Sequence, residues 1–257
     1  MCRFSRQLLL TACLLIGAVP ARADANLSNL GNTFWRLARI DAAQAGKDAG
    51  VVRITNFSID FATPCSYALY PFHYNAGILS VSRSADSALA CKGSRPPLAV
   101  DFESRLRKAA RVDLHGDTLT LLDGRNRSLI SLTRLPPAGP ENRKWQITSY
   151  FDGERLVTPD SVGGIPPYIT FFGGYLDGTA GCRGLVGKYT LSGSRLTVAA
   201  GSTALFGSCP GDLRQIFQQE ALVEKALSGI RYFERDGEQI VLRDDQGAVQ
   251  IVLAPWR

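Results

Sequence analysis

Four cysteines carry the clearest chemistry in this 257-residue chain: Cys65, Cys91, Cys182 and Cys209. Two more, Cys2 and Cys13, lie in a leader-like N-terminus. An even set of thiols outside the cytosol is expected to pair as disulfides. No C-x-x-C is present, which argues against redox-active cysteines and against a zinc site. The two histidines, His73 and His115, add no metal-binding pattern. Two glutamates, Glu103 and Glu220, stand 117 residues apart, each within a helical stretch. An inward-leaning carboxylate suits general acid or base work only with a partner acid, histidine or nucleophile beside it. None repeats alongside them, and nothing like G-x-S-x-G occurs. The expected role is hydrogen bonding to backbone amides or to an arginine. No catalytic residue, cofactor or metal ligand is expected.

The disulfide reading depends on export, and the N-terminus supplies the argument. Residues 1–6 are short and basic, residues 8–19 are apolar, and Ala21-Arg22-Ala23 reads as an A-x-A cleavage site. Cleavage between Ala23 and Asp24 is expected, leaving a periplasmic or secreted chain. The apolar run is too short to span a bilayer, and no later stretch comes close. Leu10-Thr11-Ala12-Cys13 resembles a lipoprotein box, which keeps lipidation at Cys13 as the alternative. Against it, Leu14-Leu15-Ile16 continues the apolar core past the cysteine. Removing the leader takes three arginines and no acid, so the formal charge of +6 falls to +3. That modest balance does not point to nucleic acid.

Comparing the chain with itself shows two copies of one unit. Gly77-Ile78-Leu79-Ser80-Val81 matches Ser194-Arg195-Leu196-Thr197-Val198 at an offset of 117, and Cys65 matches Cys182 at the same offset. Cys91 matches Cys209 at 118, and Gly116-Asp117-Thr118-Leu119 matches Gly237-Glu238-Gln239-Ile240 at 121. Trp35 opens one unit and Trp145 the other. Spacing alone leaves three ways to pair four cysteines. The repeat selects Cys65–Cys91 and Cys182–Cys209, one bond per copy.

The elements that must position these residues follow the same order twice. A Trp-bearing strand comes first, then a Gly/Pro-rich stretch. Next is an apolar strand, Ser58-Ile59-Asp60-Phe61 in one unit and Tyr168-Ile169-Thr170-Phe171-Phe172 in the other. A hairpin follows the first cysteine and a helix follows the second. The helices are expected over residues 98–110, with Phe102, Leu106 and Ala109 inward, and over residues 212–227. In the latter Asp212 is the N-cap, and Leu213, Ile216, Phe217, Val223 and Leu227 share a face. Two alternating strands close each unit. The three prolines and glycine of residues 136–140 mark the boundary. The expected domains are residues 24–135 and 141–257, after a signal at 1–23. The fold class expected is α+β, each unit a small curved, mainly antiparallel sheet packed on one helix.

Gly181-Cys182, Gly187-Lys188-Tyr189-Thr190-Leu191, Arg195-Leu196-Thr197-Val198, Ser202-Thr203, Cys209, Glu220 and the terminal strands resemble the META domain family, that of the heat-shock protein HslJ. The resemblance covers residues 141–254 well and reaches residues 30–135 through the repeat. Arg183 stands where the family has Asn, Cys65 follows Pro64 rather than Gly, and residues 67–74 interrupt the first hairpin. The resemblance implies an envelope protein without an enzymatic mechanism, in envelope maintenance or stress response. Two other functions are weighed beside it. A carrier of a lipid or other apolar ligand needs a cavity in the curved sheet. An inhibitor or adaptor for another envelope protein would use an exposed patch of Tyr67, Tyr70, Phe72 and Tyr74. The glycines at 163–164, 173–174 and 178 open no helix and read as turns. The basic run Arg105, Arg107, Lys108 and Arg111 reads as a solvated helix face.

Overall fold

The computed structural model describes residues 30–46, 49–64, 66–82, 85–86, 96–205, 209 and 213–257. The first half runs β1 (Thr33–Ile40), β2 (Ala43–Gln44), β3 (Val51–Ile54), β4 (Ser58–Thr63), β5 (Ser66–Asn75), β6 (Ile78–Val81), β7 (Ala85–Asp86), α1 (Pro97–Leu106), β8 (Arg111–His115), β9 (Thr118–Leu122) and β10 (Ser128–Arg134). The second runs β11 (Lys144–Phe151), β12 (Leu156–Val157), β13 (Tyr168–Phe172), β14 (Tyr175–Thr179), β15 (Arg183–Ser192), β16 (Arg195–Leu205), α2 (Leu213–Gly229), β17 (Tyr232–Asp236), β18 (Gln239–Arg243) and β19 (Val249–Pro255).

The expected α+β class is overturned: each half is a mainly β, eight-stranded barrel. In the second half β11 pairs both β13 and β19, so the antiparallel path returns to its start. In the first half the path runs β6-β5-β4-β3-β1-β10-β9-β8. Its ends meet where Leu79 N donates to the Ala110 carbonyl at 2.8 Å. The equivalent bond in the second half is Leu196 N to the Arg231 carbonyl at 2.9 Å. The reason is strand number. Eight short strands with inward alternation suffice to close a sheet around a side-chain-filled interior, so the helix joins that interior rather than covering an open sheet.

The duplication extends to irregularities. A bulge between Leu37 and Arg39 on β1 recurs between Ile147 and Ser149 on β11, 110 residues later. Register also corrects one expected equivalence. Trp35 pairs with Val52 and Trp145 with Ile169, so β13 corresponds to β3, and Ser58–Thr63 corresponds to β14. Residues 67–74 do not interrupt the first hairpin. They lie within β5, which pairs with β6 from Phe72–Val81 to Asn75–Ile78.

Both interiors are packed. Trp35, Ile59, Phe61 and Leu132 fill the first, and Phe102 of α1 stacks on Phe61 at 4.0 Å between centroids. Trp145, Ile147, Leu196 and Leu253 fill the second with Val223 and Leu227 of α2. The first helix ends at Leu106, short of the expected 110, with Ala109 still buried beyond it. Leu213, expected inward on α2, is exposed, while Gln219 and Glu220 are buried. The N-cap expected at Asp212 lies outside the described residues.

A third apolar cluster joins the barrels: Phe34, Ala62 and Tyr67 from the first, Phe172 and Tyr175 from the second. It explains why every residue of β4 is buried. One face of that strand looks into its own barrel and the other against the neighbouring one, which a half-solvated strand does not show. Gly173, at φ +56, permits the approach: a Cβ there would stand 2.8 Å from the Ala62 Cβ.

Candidate functional site

The seam between the barrels holds a cluster of buried charge. Arg53 on β3 lies opposite Asp60 on β4 and donates through Nε to Oδ2 at 2.7 Å. Across the seam its Nη1 reaches Asp177 Oδ2 on β14 at 2.6 Å. The guanidinium also sits 4.6 Å from the Phe172 ring centroid. Asp60 is fully buried and Asp177 is 24% exposed at its side chain. Burial opposes the charge on Arg53, yet Asp177 and Asp60 together push it well above its usual range. Burial raises the Asp60 carboxyl, with Arg53 pulling the other way. Asp60 and Asp177 are themselves equivalent, 117 residues apart, so one arginine neutralises the same acid in both copies.

Beside this cluster the seam opens into a cavity of about 380 Å³. Lys144 from β11, Tyr168 and Thr170 from β13, and Gly184 and Val186 from β15 form one wall. Thr55, Phe57, Ser58 and Leu69 of the first barrel form the other, and Arg53 and Asp177 complete the lining. Phe57 is 66% exposed. Lys144 Nζ stands 3.7 Å from the Tyr168 ring centroid and 3.5 Å from that of Trp256. Burial first, and Arg53 second, lower the Lys144 ammonium to about 8, with Asp177 opposing. Among the described residues no carboxylate lies within salt-bridge distance of it.

The cavity has a filled counterpart. By strand register Lys144 is equivalent to Phe34, Thr55 to Phe172, Gly184 to Tyr67 and Ser58 to Tyr175. The four aromatics pack together: Phe34 and Tyr67 each lie 5.9 Å from Phe172, and Tyr67 stacks on Tyr175 at 5.6 Å. The four equivalents line the void.

Glu220 takes the structural role expected of it. Its Oε1 accepts from Cys182 N at 2.5 Å and Arg183 N at 2.7 Å, and its Oε2 from Arg183 Nε at 2.6 Å. Gly181 lets the helix come this close, since a Cβ there would meet Glu220 Oε1 at 2.7 Å. Cys182 and Cys209 are bonded, with Cα atoms 5.8 Å apart. Cys65 and Cys91 lie outside the described residues, as do Ala23, Asp24 and Cys13. Glu103 is half-buried on α1, His73 is exposed on β5, and His115 sits 3.1 Å from Asp113 at the surface. Tyr67, Tyr70 and Phe72 are buried, so they form no exposed patch. Gly163, Gly164, Gly173 and Gly174 adopt positive φ in turns, whereas Gly178, also expected in a turn, lies within β14. Among the described residues no group of His, Cys, Asp or Glu could hold a metal, and no helix is long and apolar enough to cross a membrane.

Sequence reasoning did not single out Arg53, Asp60, Asp177, Lys144 or Tyr168. A signal was present. Asp60 and Asp177 repeat at the offset of the cysteines and interrupt otherwise apolar strands.

Residues 139–255 match the family model of the META domain. Two solved structures are similar. One, described only as the NMR structure of a protein, is 16% identical, covers 42% of this chain and 94% of its own, and has a TM-score of 0.33. The other is the crystal structure of a DUF4847 family protein from Bacteroides vulgatus ATCC 8482. It is 14% identical, covers 44% of this chain and 91% of its own, and has a TM-score of 0.29. No curated protein matches the sequence.

Proposed function

We propose that this chain, whose residues 139–255 match the META domain model, is an exported, non-enzymatic envelope protein that serves envelope maintenance or stress response by binding. The observation that carries the reading is how the seam spends its charge. Arg53, Asp60 and Asp177 hold one another across two barrels, and Glu220 is committed to the loop at Gly181–Arg183. Groups so engaged position strands. A general acid must be able to exchange its proton with a substrate.

Within this reading, the carrier role favours the seam over the barrel interiors, which Trp35, Phe61, Phe102, Trp145 and their neighbours fill. The adaptor role loses the patch on which it rested, because Tyr70 and Phe72 face the barrel interior and Tyr67 is buried in the seam.

The test begins with the native protein. Osmotic-shock release and intact mass should give a soluble chain starting at Asp24. Deleting the gene should sensitise cells to envelope-damaging agents, and the full-length gene should reverse this. A chain retained in the cytoplasm with its leader would overturn the reading. A diacylglycerol-modified Cys13 would replace soluble export with lipid anchoring.

A further inference from the structure

We propose that the seam cavity binds a small organic carboxylate with a short apolar tail. The Lys144 ammonium is its charge partner, and Leu69 and Val186 are the wall along its tail.

The first step is why the space exists. The four positions that fill one half of the seam with Phe34, Tyr67, Phe172 and Tyr175 hold Lys144, Gly184, Thr55 and Ser58 in the other. Equivalent backbones thus enclose either a packed cluster or about 380 Å³ of space. Protein interiors are close-packed, so a void of this size between two rigid sheets is held open by its surroundings. It falls within the roughly 300–1,000 Å³ typical of small-molecule sites.

The second step is charge. Three ionic groups line the cavity: Arg53, Asp177 and Lys144. Arg53 directs Nε to Asp60 and Nη1 to Asp177, so it has little left to offer a ligand. Lys144 is held by ring faces rather than by an acid. An ammonium on aromatic faces keeps N–H donors for a further acceptor. A single carboxylate matches a single available cation. A dianionic phosphate would face Asp177 with only that one cation to offset it. A ligand ammonium would meet Lys144 as a like charge.

The third step is the tail. Leu69, Val186 and the largely exposed Phe57 line the cavity with apolar surface, Leu69 as the cross-strand partner of Asp60 and Val186 as that of Asp177. A wholly polar ligand would leave that surface in water. A long-chain lipid would exceed the volume.

The experiment uses the mature full chain and octanoate as probe, with 1-octanol and octylamine as uncharged and cationic controls of equal length. Calorimetry should show saturable one-to-one binding of octanoate, about tenfold weaker for 1-octanol and absent for octylamine. Lys144→Gln should weaken octanoate about tenfold, while Lys144→Arg, which keeps a cation on the rings, should stay within about threefold. Val186→Trp should block the cavity and abolish binding, with an unchanged thermal melt as the control for folding. Octanoate should also shield Lys144 from acylation at pH 8, as read by peptide mass, whereas Lys225 should not be shielded. Absent saturable binding, equal binding of octanoate and 1-octanol, or wild-type affinity in Lys144→Gln would each overturn the assignment.

Discussion

One half of the seam is solid and the other is hollow, although the strands that form them share register. In the solid half Phe172 lies against Phe34, Tyr67 and the Arg53 guanidinium. In the hollow half the position of Phe172 is taken by Thr55, whose hydroxyl turns back to accept from Ser58 N at 2.9 Å. Threonine there supports a local turn, whereas phenylalanine in the other copy spans to the neighbouring barrel. The lesson is about where two copies diverge. The barrel interiors keep their tryptophans, bulges and closing hydrogen bonds, because each interior must be full for its barrel to close. The seam is under a weaker demand. One well-packed half is enough to join the barrels, which leaves the other half open to acquire different side chains.

The contrast between the halves has measurable consequences. The largest effect belongs to the solid half. Arg53→Met leaves Asp60 fully buried and Asp177 partly buried without their counter-ion. It should destabilise the protein by about 4 kcal/mol in chemical denaturation. Arg53→Met combined with Asp60→Asn should recover a substantial part. A loss below about 1 kcal/mol would show that the charges are solvated and the seam is loose. Next is the covalent link of the second barrel. Cys182→Ser with Cys209→Ser opens a bond between residues 27 apart and should cost about 3–4 kcal/mol by the chain-entropy account. Non-reducing peptide mapping should give the matching Cys65–Cys91 peptide from the first barrel. A peptide joining either of these to Cys182 or Cys209 would break the parallel between copies.

A direct comparison of the halves follows. Phe172→Ala removes a fully buried ring and should cost about 3 kcal/mol. Its equivalent, Thr55→Ala, loses only the turn hydroxyl and should cost about 1 kcal/mol. Equal losses at both sites would mean that the hollow half contributes as much packing as the solid one. The smallest effect is a pH dependence set by Lys144, held at about 8 in the folded state against 10.5 ordinarily. Between those values the unfolded chain binds more protons, so stability rises as pH climbs from about 8 toward 10. Tyr175, raised to about 12 by burial, acts oppositely above about pH 10, where the unfolded chain gives up its phenolic proton first. Lys144→Met should flatten the rise in melting temperature between pH 8 and 10. An unchanged profile would place Lys144 in water.

Much of this is legible in the sequence. The offsets of 117 and 121 marked the repeat, and Gly181, Cys182 and Glu220 lie within the residues that match the META domain model. Glu220 was expected to hold backbone amides or an arginine, and it holds both. The fold class was missed because alternation identifies strands without saying whether the first meets the last. The burial of Tyr67 and Tyr70 was missed for a related reason. An aromatic run with a proline reads locally as a loop, and only pairing with β4 makes it a strand.

The duplication and the structural roles of Cys182 and Glu220 are legible in the chain alone, because they are local patterns or patterns repeated along it. Folding in three dimensions was needed for the sheets to close, for Arg53 to serve an acid 124 residues away, and for Lys144 to stand over aromatic rings in the wall of a cavity. Each of these depends on two surfaces meeting. Neither copy shows its neighbour's face until both are folded, so the partner of Asp177 is not legible until Arg53 lies across the seam from it.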